Sequence, residues 1–247
     1  MNGIPKEVQF SAIGECKSDM GGYFIIDGKE KTIICQEKFA DNLLYIQKNP
    51  DLKSLCSAEI RSVSENVSKP IRTFSIEMLA PESKYTNKNI VVNIPNVRKP
   101  IPLFIVFRAL GIVSDKDIIS TCLLDMEKYE SMIDLFIPSV HDAGSIMTQQ
   151  TALEFISTFT KYETVYYTLE ILSDYFLPHI GENNFKQKSL FLGHMVFKML
   201  SVHIGNENPT DRDNIKFKRV ELVGSLLYDL FREYYTCLLY TSPSPRD

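Results

Sequence analysis

The pattern of apolar and polar positions changes its period near residue 100. Before that point apolar residues alternate with polar ones or form short runs, which is typical of β-strands. After it they recur at every third or fourth position, which predicts helices with one apolar face. We therefore expect an α+β fold, with β-hairpins in the first 100 residues and a mostly helical part after them.

Two hairpins are predicted in the strand-rich part. Asp27-Gly28 lies between two β-prone runs, and this dipeptide favours a two-residue turn because both of its residues tolerate positive φ. In the second hairpin, a polar segment at residues 81–87 connects the two strands. A serine-rich stretch at 62–70 separates the two hairpins and is a plausible domain crossing. The predicted strands occupy residues 23–26, 32–35, 72–79 and 89–94.

The helical part has clear boundary signals. Pro102 suits a first helical turn and Gly111 suits the position after a helix. Gly193 lies inside a long apolar segment, where it would allow another element to pack closely. The last eleven residues, 237–247, interrupt the final helical pattern with a Ser/Pro string. Helices are predicted within residues 100–111, 114–124, 127–137, 148–159, 163–176, 186–204 and 220–235.

Composition excludes several classes of protein. None of the apolar runs reaches the roughly 18 residues that a membrane span needs, and the polar start does not resemble a signal peptide, so an intracellular protein is expected. The five cysteines are dispersed, which predicts reduced thiols rather than disulfides or a zinc site. A net charge of -4 argues against a freestanding nucleic-acid binder but is compatible with a local basic track.

Neither a catalytic nor a metal-binding motif emerges from the spacing of reactive residues. The four histidines are scattered, and Asp211 and Asp213 flank Arg212, which suggests ion pairing rather than a metal site. Gly28-Lys29 leads into a second strand rather than a helix, which argues against a phosphate-binding loop. Two basic segments remain, each of which is either a solvated surface or a patch facing phosphates. They contain Lys29, Lys31 and Lys38, and Arg212, Lys216, Lys218 and Arg219.

Five blocks in order resemble the second-largest, beta-type subunit of multisubunit DNA-directed RNA polymerases. GGYFIIDGKEKTIICQEK resembles the GGYFI-N-G-EK-II-QE signature of that family, and the other four blocks follow in the family's order. The resemblance covers residues 16–235 and is to the eukaryotic, archaeal or large-DNA-virus type. The other blocks are AEIRS, PIPLFIVFRALGI, FLPHIG with FLGHM, and DRD followed by KR-EL-GSLL.

The resemblance implies a domain organisation. Residues 1–61 would form part of the protrusion, 62–209 the lobe, and 210–236 a return to the protrusion. Residues 237–247 look like translated sequencing adapter, so the natural chain is expected to continue past Thr236 and to have further residues upstream.

The resemblance also implies a function. Protrusion and lobe form one side of the cleft that holds DNA and the RNA–DNA hybrid, whereas the largest subunit holds the catalytic magnesium. We therefore expect an inactive fragment with no catalytic residue, metal ligand or cofactor of its own. Its partners would be the largest subunit, the other polymerase subunits, the DNA template and the RNA–DNA hybrid, without a membrane. It would act in the nucleus of a eukaryote, or in the cytoplasm or virus factory for a virus.

Five residues are carried over as the ones nearest nucleic acid. The cations among them would offset backbone phosphates without reading sequence, and the glutamine could supply a neutral hydrogen bond. In the second basic block this chain has Asn214, Ile215 and Lys216 where the family has His, an aromatic residue and Gly. The five residues are Lys31, Gln36, Arg212, Lys218 and Arg219.

Two alternatives belong to other classes. One is a standalone helical protein-interaction module without catalytic activity, favoured by the acidic net charge and the aromatic helix faces. The other is a small enzyme built on Asp211-Arg212-Asp213, which would require the fold to bring a histidine or a third carboxylate to that segment.

Overall fold

The computed structural model describes residues 12, 14, 16, 18–48, 53–66, 69, 71–81 and 88–241. They fall into two compact units: a first unit of residues 1–39 and 218–247, and a second unit of residues 40–217. The predicted boundaries between protrusion and lobe lie elsewhere, at 61/62 and 209/210, and that assignment stays a prediction.

Helices and antiparallel sheets both occur, which confirms the α+β class. The strands are β1 Phe24–Ile26, β2 Lys29–Lys31, β3 Gln36–Phe39, β4 Leu44–Lys48, β5 Ser54–Ser62, β6 Arg72–Leu79, β7 Ile90–Asn93, β8 Ile101–Pro102 and β9 Lys218–Glu221. The α-helices are α1 Leu103–Ala109, α2 Asp115–Leu123, α3 Glu130–Ile133, α4 Ile137–Ala143, α5 Gln149–Ser157, α6 Val165–Glu170, α7 Phe185–Ile204 and α8 Val223–Thr241. Shorter turns are 3-10 at Asp134–Phe136, Pro178–Ile180 and Ile215–Phe217, and π-helical at Ile171–Tyr175.

The first unit contains the hairpin predicted around Asp27-Gly28. Both turn residues have positive φ, 51° at Asp27 and 71° at Gly28, as a two-residue turn requires. Ile26 pairs with Lys29. The second strand therefore starts directly after the turn, and the prediction that it occupies residues 32–35 is wrong because a two-residue loop leaves no room for a longer connection.

The same unit contains a second ribbon, in which β3 pairs with β9. This strand pairing joins segments about 180 residues apart in the sequence, and β9 was not predicted. Helix α8 follows and continues through Thr241, so the prediction that the last eleven residues interrupt the helix is wrong for 237–241. Residues 242–247 lie outside the described residues.

The second unit is built on a five-stranded antiparallel sheet in the order β4-β5-β6-β7-β8. Strands β6 and β7 confirm the second predicted hairpin, whose connection at 82–87 lies outside the described residues. Strand β5 was not predicted, although every second residue of it is buried. Its buried positions include Ser54, Ala58 and Ser62, which are too small or polar to show the alternation in the sequence.

The helices of the second unit cover this sheet. All seven residues of α1 are buried, and Phe74 of β6 meets Phe176 edge-to-face with ring centroids 4.9 Å apart. Gly111 follows α1 with φ of 106°, as predicted for the position after a helix. The segment predicted as one helix at 127–137 instead forms α3 and a 3-10 turn, and α4 begins at Ile137. Within the described residues, no helix combines the length and apolar character that crossing a membrane requires.

Candidate nucleic-acid interface

The ribbon of β3 and β9 brings together three of the five residues carried over from the resemblance: Gln36, Lys218 and Arg219. In an antiparallel pair, residues directly opposite each other share a face, and neighbours along a strand point to opposite faces. Gln36 pairs with Glu221 and Lys38 pairs with Arg219. One side, which we call the Arg219 face, therefore carries Gln36, Lys38, Arg219 and Glu221, and the other, the Lys218 face, carries Glu37, Phe39, Lys218 and Val220.

The Arg219 face has an excess of positive charge. Lys38 and Arg219 lie directly opposite each other, an arrangement that destabilises a strand pair when both charges have the same sign. Glu221 offsets part of this repulsion, since its Oε1 is 2.7 Å from Lys38 Nζ. Arg219 itself is exposed and donates through its guanidinium to the carbonyl of Lys218, at 2.8 Å. An anion bound here would relieve the repulsion between the two cations.

The charges on the Lys218 face are balanced. Lys218 Nζ lies 2.7 Å from Glu37 Oε1, and the other two residues of this face are apolar. Because Lys218 and Arg219 are consecutive in one strand, their side chains leave it in opposite directions. The two residues cannot contact the same stretch of a ligand lying on one face of the ribbon.

Lys31 belongs to the other ribbon of the first unit. It is exposed at the end of β2 and pairs across the hairpin with Phe24. The structure shows it at a sheet surface accessible to solvent. Its predicted contact with nucleic acid stays a prediction.

Arg212 lies in the second unit and has a clear internal role. Its guanidinium donates to Glu59 Oε2 of β5 at 2.7 Å and lies 5.3 Å from the centre of the Tyr45 ring. The expected ion pair with the flanking aspartates is therefore wrong, because the side chain reaches a carboxylate on the sheet instead. Asp211 accepts a hydrogen bond from the backbone N–H of Asp213, which closes a turn. Arg212 anchors this loop, and a contact with nucleic acid stays a prediction.

Lys216, which stands where the resembled family has glycine, fits its loop without backbone strain. It lies in the 3-10 turn Ile215–Phe217 and does not have positive φ. The Asn214 side chain accepts a hydrogen bond from the Lys216 N–H at 3.1 Å and stabilises the turn. The loop therefore follows a path that an ordinary residue can adopt.

The described residues contain no group of three or more His, Cys, Asp or Glu side chains placed to hold a metal ion. A serine and a histidine do meet, since Ser62 Oγ lies 2.7 Å from His179 Nδ1. Burial lowers the pKa of His179, which suits an unprotonated Nδ1 that accepts from the hydroxyl. Ser62 is completely buried, so this pair ties β5 to the turn at 178–180 and is not exposed as a nucleophile.

Lys38 is a member of the Arg219 face that the five-residue prediction left out. The sequence contains a signal for this, because Lys38 lies two residues after Gln36 and such a spacing places both side chains on one face of a strand. That signal could not be used from the sequence alone because β3 was not predicted as a strand and its partner β9 was unknown.

Comparison with known proteins gives a consistent result. Residues 40–221 match the family described as RNA polymerase Rpb2, domain 2. DNA-directed RNA polymerase II subunit 2 of Arabidopsis thaliana is 37% identical over 238 residues, covering 92% of this chain and 20% of that protein. Subunit RPB2 of Schizosaccharomyces pombe is 35% identical, covering 94% of this chain and 20% of that protein. The archaeal subunit Rpo2 of Sulfolobus acidocaldarius is 31% identical, covering 89% of this chain and 19% of that protein.

The chain spans about a fifth of the length of these curated relatives. The family match includes the whole second unit and β9, which carries Lys218 and Arg219. The match covers well over half of the chain, and the relatives all carry the name of the same kind of subunit. The chain therefore belongs to the family of RNA polymerase Rpb2, domain 2, found in second-largest subunits of DNA-directed RNA polymerases.

Proposed function

We propose that this chain forms part of the second-largest subunit of a DNA-directed RNA polymerase and serves as one wall of its nucleic-acid cleft. The observation that carries the proposal is the family match over residues 40–221, together with polymerase subunits that are similar over about nine tenths of the chain. These relatives favour the polymerase over a standalone interaction module.

In this proposal the chain supports nucleotidyl transfer as a wall of the cleft and takes no part in the chemical step. It donates no catalytic acid, base or magnesium ligand, and the largest subunit holds the magnesium ion. Its partners are the largest subunit and the other polymerase subunits, the DNA template and the RNA–DNA hybrid. The place of action is inside the cell, in the nucleus for a eukaryotic source.

The Arg219 face is the proposed contact with the nucleic-acid backbone. Lys38 and Arg219 lie opposite each other, so a phosphate between them would interact with both cations and reduce their mutual repulsion. Phosphate contacts of this kind position a nucleic acid without reading its sequence. The exposed amide of Gln36 lies on the same face and adds a neutral hydrogen bond, which is easily released when the template moves.

An antibody raised against the 247-residue chain tests the assignment directly. Immunoprecipitation from an extract of the source cells should yield template-dependent incorporation of labelled ribonucleotides, together with the largest polymerase subunit identified by mass spectrometry. Precipitation after competition with excess purified chain is the control and should remove both signals. A precipitate that contains the chain without nucleotide incorporation and without the largest subunit would overturn the proposal.

A further inference from the structure

The second unit has a cleft with basic walls that lies outside the interface described above. It forms where the connection between β7 and β8 meets the connection between α5 and α6, and the N–H of Arg98 donates to the carbonyl of Phe159 at 3.0 Å. The cleft is open and has a volume of about 440 Å³. Its lining residues are Asn96, Val97, Arg98, Lys161 and Tyr167.

Two cations line this cleft, Arg98 and Lys161, and a third, Lys99, follows Arg98 in the chain; all three are exposed. In the part of the chain that the structure describes, none of the three forms an ion pair with a carboxylate. Glu163 is the single acidic residue in the two connections, residues 94–100 and 158–164. The local excess of positive charge therefore contrasts with the net charge of -4 of the whole chain.

Aromatic rings accompany the cations. Lys161 Nζ lies 5.1 Å from the centre of the Tyr162 ring, and Lys99 Nζ lies 5.4 Å from that of Phe159. Tyr162 meets Tyr167 edge-to-face, with ring centroids 4.7 Å apart, and is 58% exposed. Exposed aromatic rings beside a basic groove are the combination that binds single-stranded nucleic acid, since the cations neutralise phosphates and the rings stack on bases.

Both connections are held in shape before any ligand arrives. Asn96 has φ of 66°, and the N–H of Val97 closes a turn by donating to the carbonyl of Ile94 at 3.2 Å. On the other side, Thr164 caps α6 by accepting from the N–H of Tyr167 at 3.3 Å. A fixed arrangement of this kind lowers the entropy lost on binding.

We propose that Arg98, Lys99 and Lys161 bind the phosphate backbone of a single-stranded nucleic acid and that Tyr162 stacks on one of its bases. We call these four residues the Arg98–Lys161 patch. Its cations and exposed ring favour a nucleic acid over an acidic peptide, which has charge but lacks a series of flat bases. The proposal goes beyond the proposed function, because it concerns a different surface and its test uses the 247-residue chain without a polymerase.

The test is fluorescence anisotropy with a labelled thymidine oligonucleotide of about 12 nucleotides, within the usual site sizes for single strands. The double variant Arg98→Glu and Lys161→Glu should raise the Kd at least about tenfold in roughly 50 mM salt. The binding constant of this variant should also depend less steeply on salt. Its slope of log K against log salt should be less negative by about 1.4, as expected for two lost phosphate contacts on a single strand. Tyr162→Ala should raise the Kd by about fivefold or more.

The matched control is the double variant Lys116→Glu and Lys186→Glu, which changes the net charge by the same amount at two exposed lysines of the second unit. It should bind the oligonucleotide within about twofold of the original chain if the local patch decides binding, since net charge alone acts weakly over distance. Circular dichroism verifies that all variants are folded.

Two competing ligands distinguish binding of a single strand from binding of any negatively charged polymer. A duplex of the same sequence and oligoglutamate of the same charge should both compete less well than the single strand, because neither offers an unstacked base to Tyr162. Equal losses in the patch and control variants, an unchanged Kd for Tyr162→Ala, or stronger competition by the duplex or by oligoglutamate would each overturn the proposal.

Discussion

At the scale of single residues, the direction of a side chain decides what its charge can do. Lys218 and Arg219 are neighbours in the sequence, but one forms an ion pair with Glu37 and the other lies opposite Lys38 on the other face of the ribbon. Arg212 is equally basic, and its charge is used within the second unit to hold Glu59. A basic segment in a sequence therefore does not define one basic surface.

Lys188 of α7 gives a prediction about pH. Its ammonium is buried and donates to the carbonyls of Leu172 and Ser173, at 2.8 and 2.6 Å. Burial lowers its pKa to about 8 from the ordinary value of 10.5. Between these values the unfolded chain keeps a proton that the folded chain has lost, so this residue makes the free energy of unfolding rise as the pH rises.

The measurement is urea unfolding of the original chain and of Lys188→Met at pH 7 and 9.5. The stability of the original chain relative to the variant should increase by about 2 kcal/mol between the two pH values. Lys186→Met, which removes an exposed lysine from the same helix, is the control and should show no such change. A difference that stays constant or decreases with pH would show that the pKa of Lys188 is not lowered.

At the scale of elements, the sequence predicted the turns, strands and helices whose signals lie within one short segment. The turn at Asp27-Gly28, the strand β6 and the helix that ends before Gly111 all have local signals and are confirmed. Strands β5 and β9 were missed. Strand β5 buries small polar residues, and β9 has charged residues at three of its four positions, so that only pairing with the distant β3 organises it as a strand. The pairing that creates the Arg219 face is therefore not visible in either segment alone.

The packing of α7 against α2 gives a prediction at the same scale. Gly193 lies so close to α2 that a Cβ atom would be 2.7 Å from the carbonyl oxygen of Thr121 and 3.3 Å from Cα of Cys122. Gly193→Ala should lower the free energy of unfolding of the chain by about 1–3 kcal/mol, as overpacking does. This loss outweighs the gain of up to about 1 kcal/mol that alanine brings to a helix interior.

Chemical denaturation followed by circular dichroism measures the effect. Gly224→Ala in α8 is the matched control, since a Cβ atom there would meet no other atom within 4 Å. It should leave stability unchanged or raise it slightly. If Gly193→Ala is as stable as the original chain, the close contact between α2 and α7 is not as the structure shows it.

At the scale of the whole molecule, the chain consists of two compact units, and the residues proposed to contact nucleic acid occur in both. The Arg219 face belongs to the first unit and the Arg98–Lys161 patch to the second. The sequence predicted the fold class from the change of apolar period and the family from ordered motifs, because both signals lie within short segments of the chain. It could not predict the patch, whose two halves are 62 positions apart between Lys99 and Lys161 and meet only in the folded second unit.

Photo-crosslinking in the intact polymerase tests the central claim most directly. A photoreactive amino acid is placed at position 219 or 218 of this chain, and the enzyme is assembled on a labelled template and RNA. We predict crosslinks to the labelled nucleic acid from position 219, on the Arg219 face, and only background from position 218, on the opposite face. Crosslinks from 218 without any from 219, or from neither position, would contradict the account.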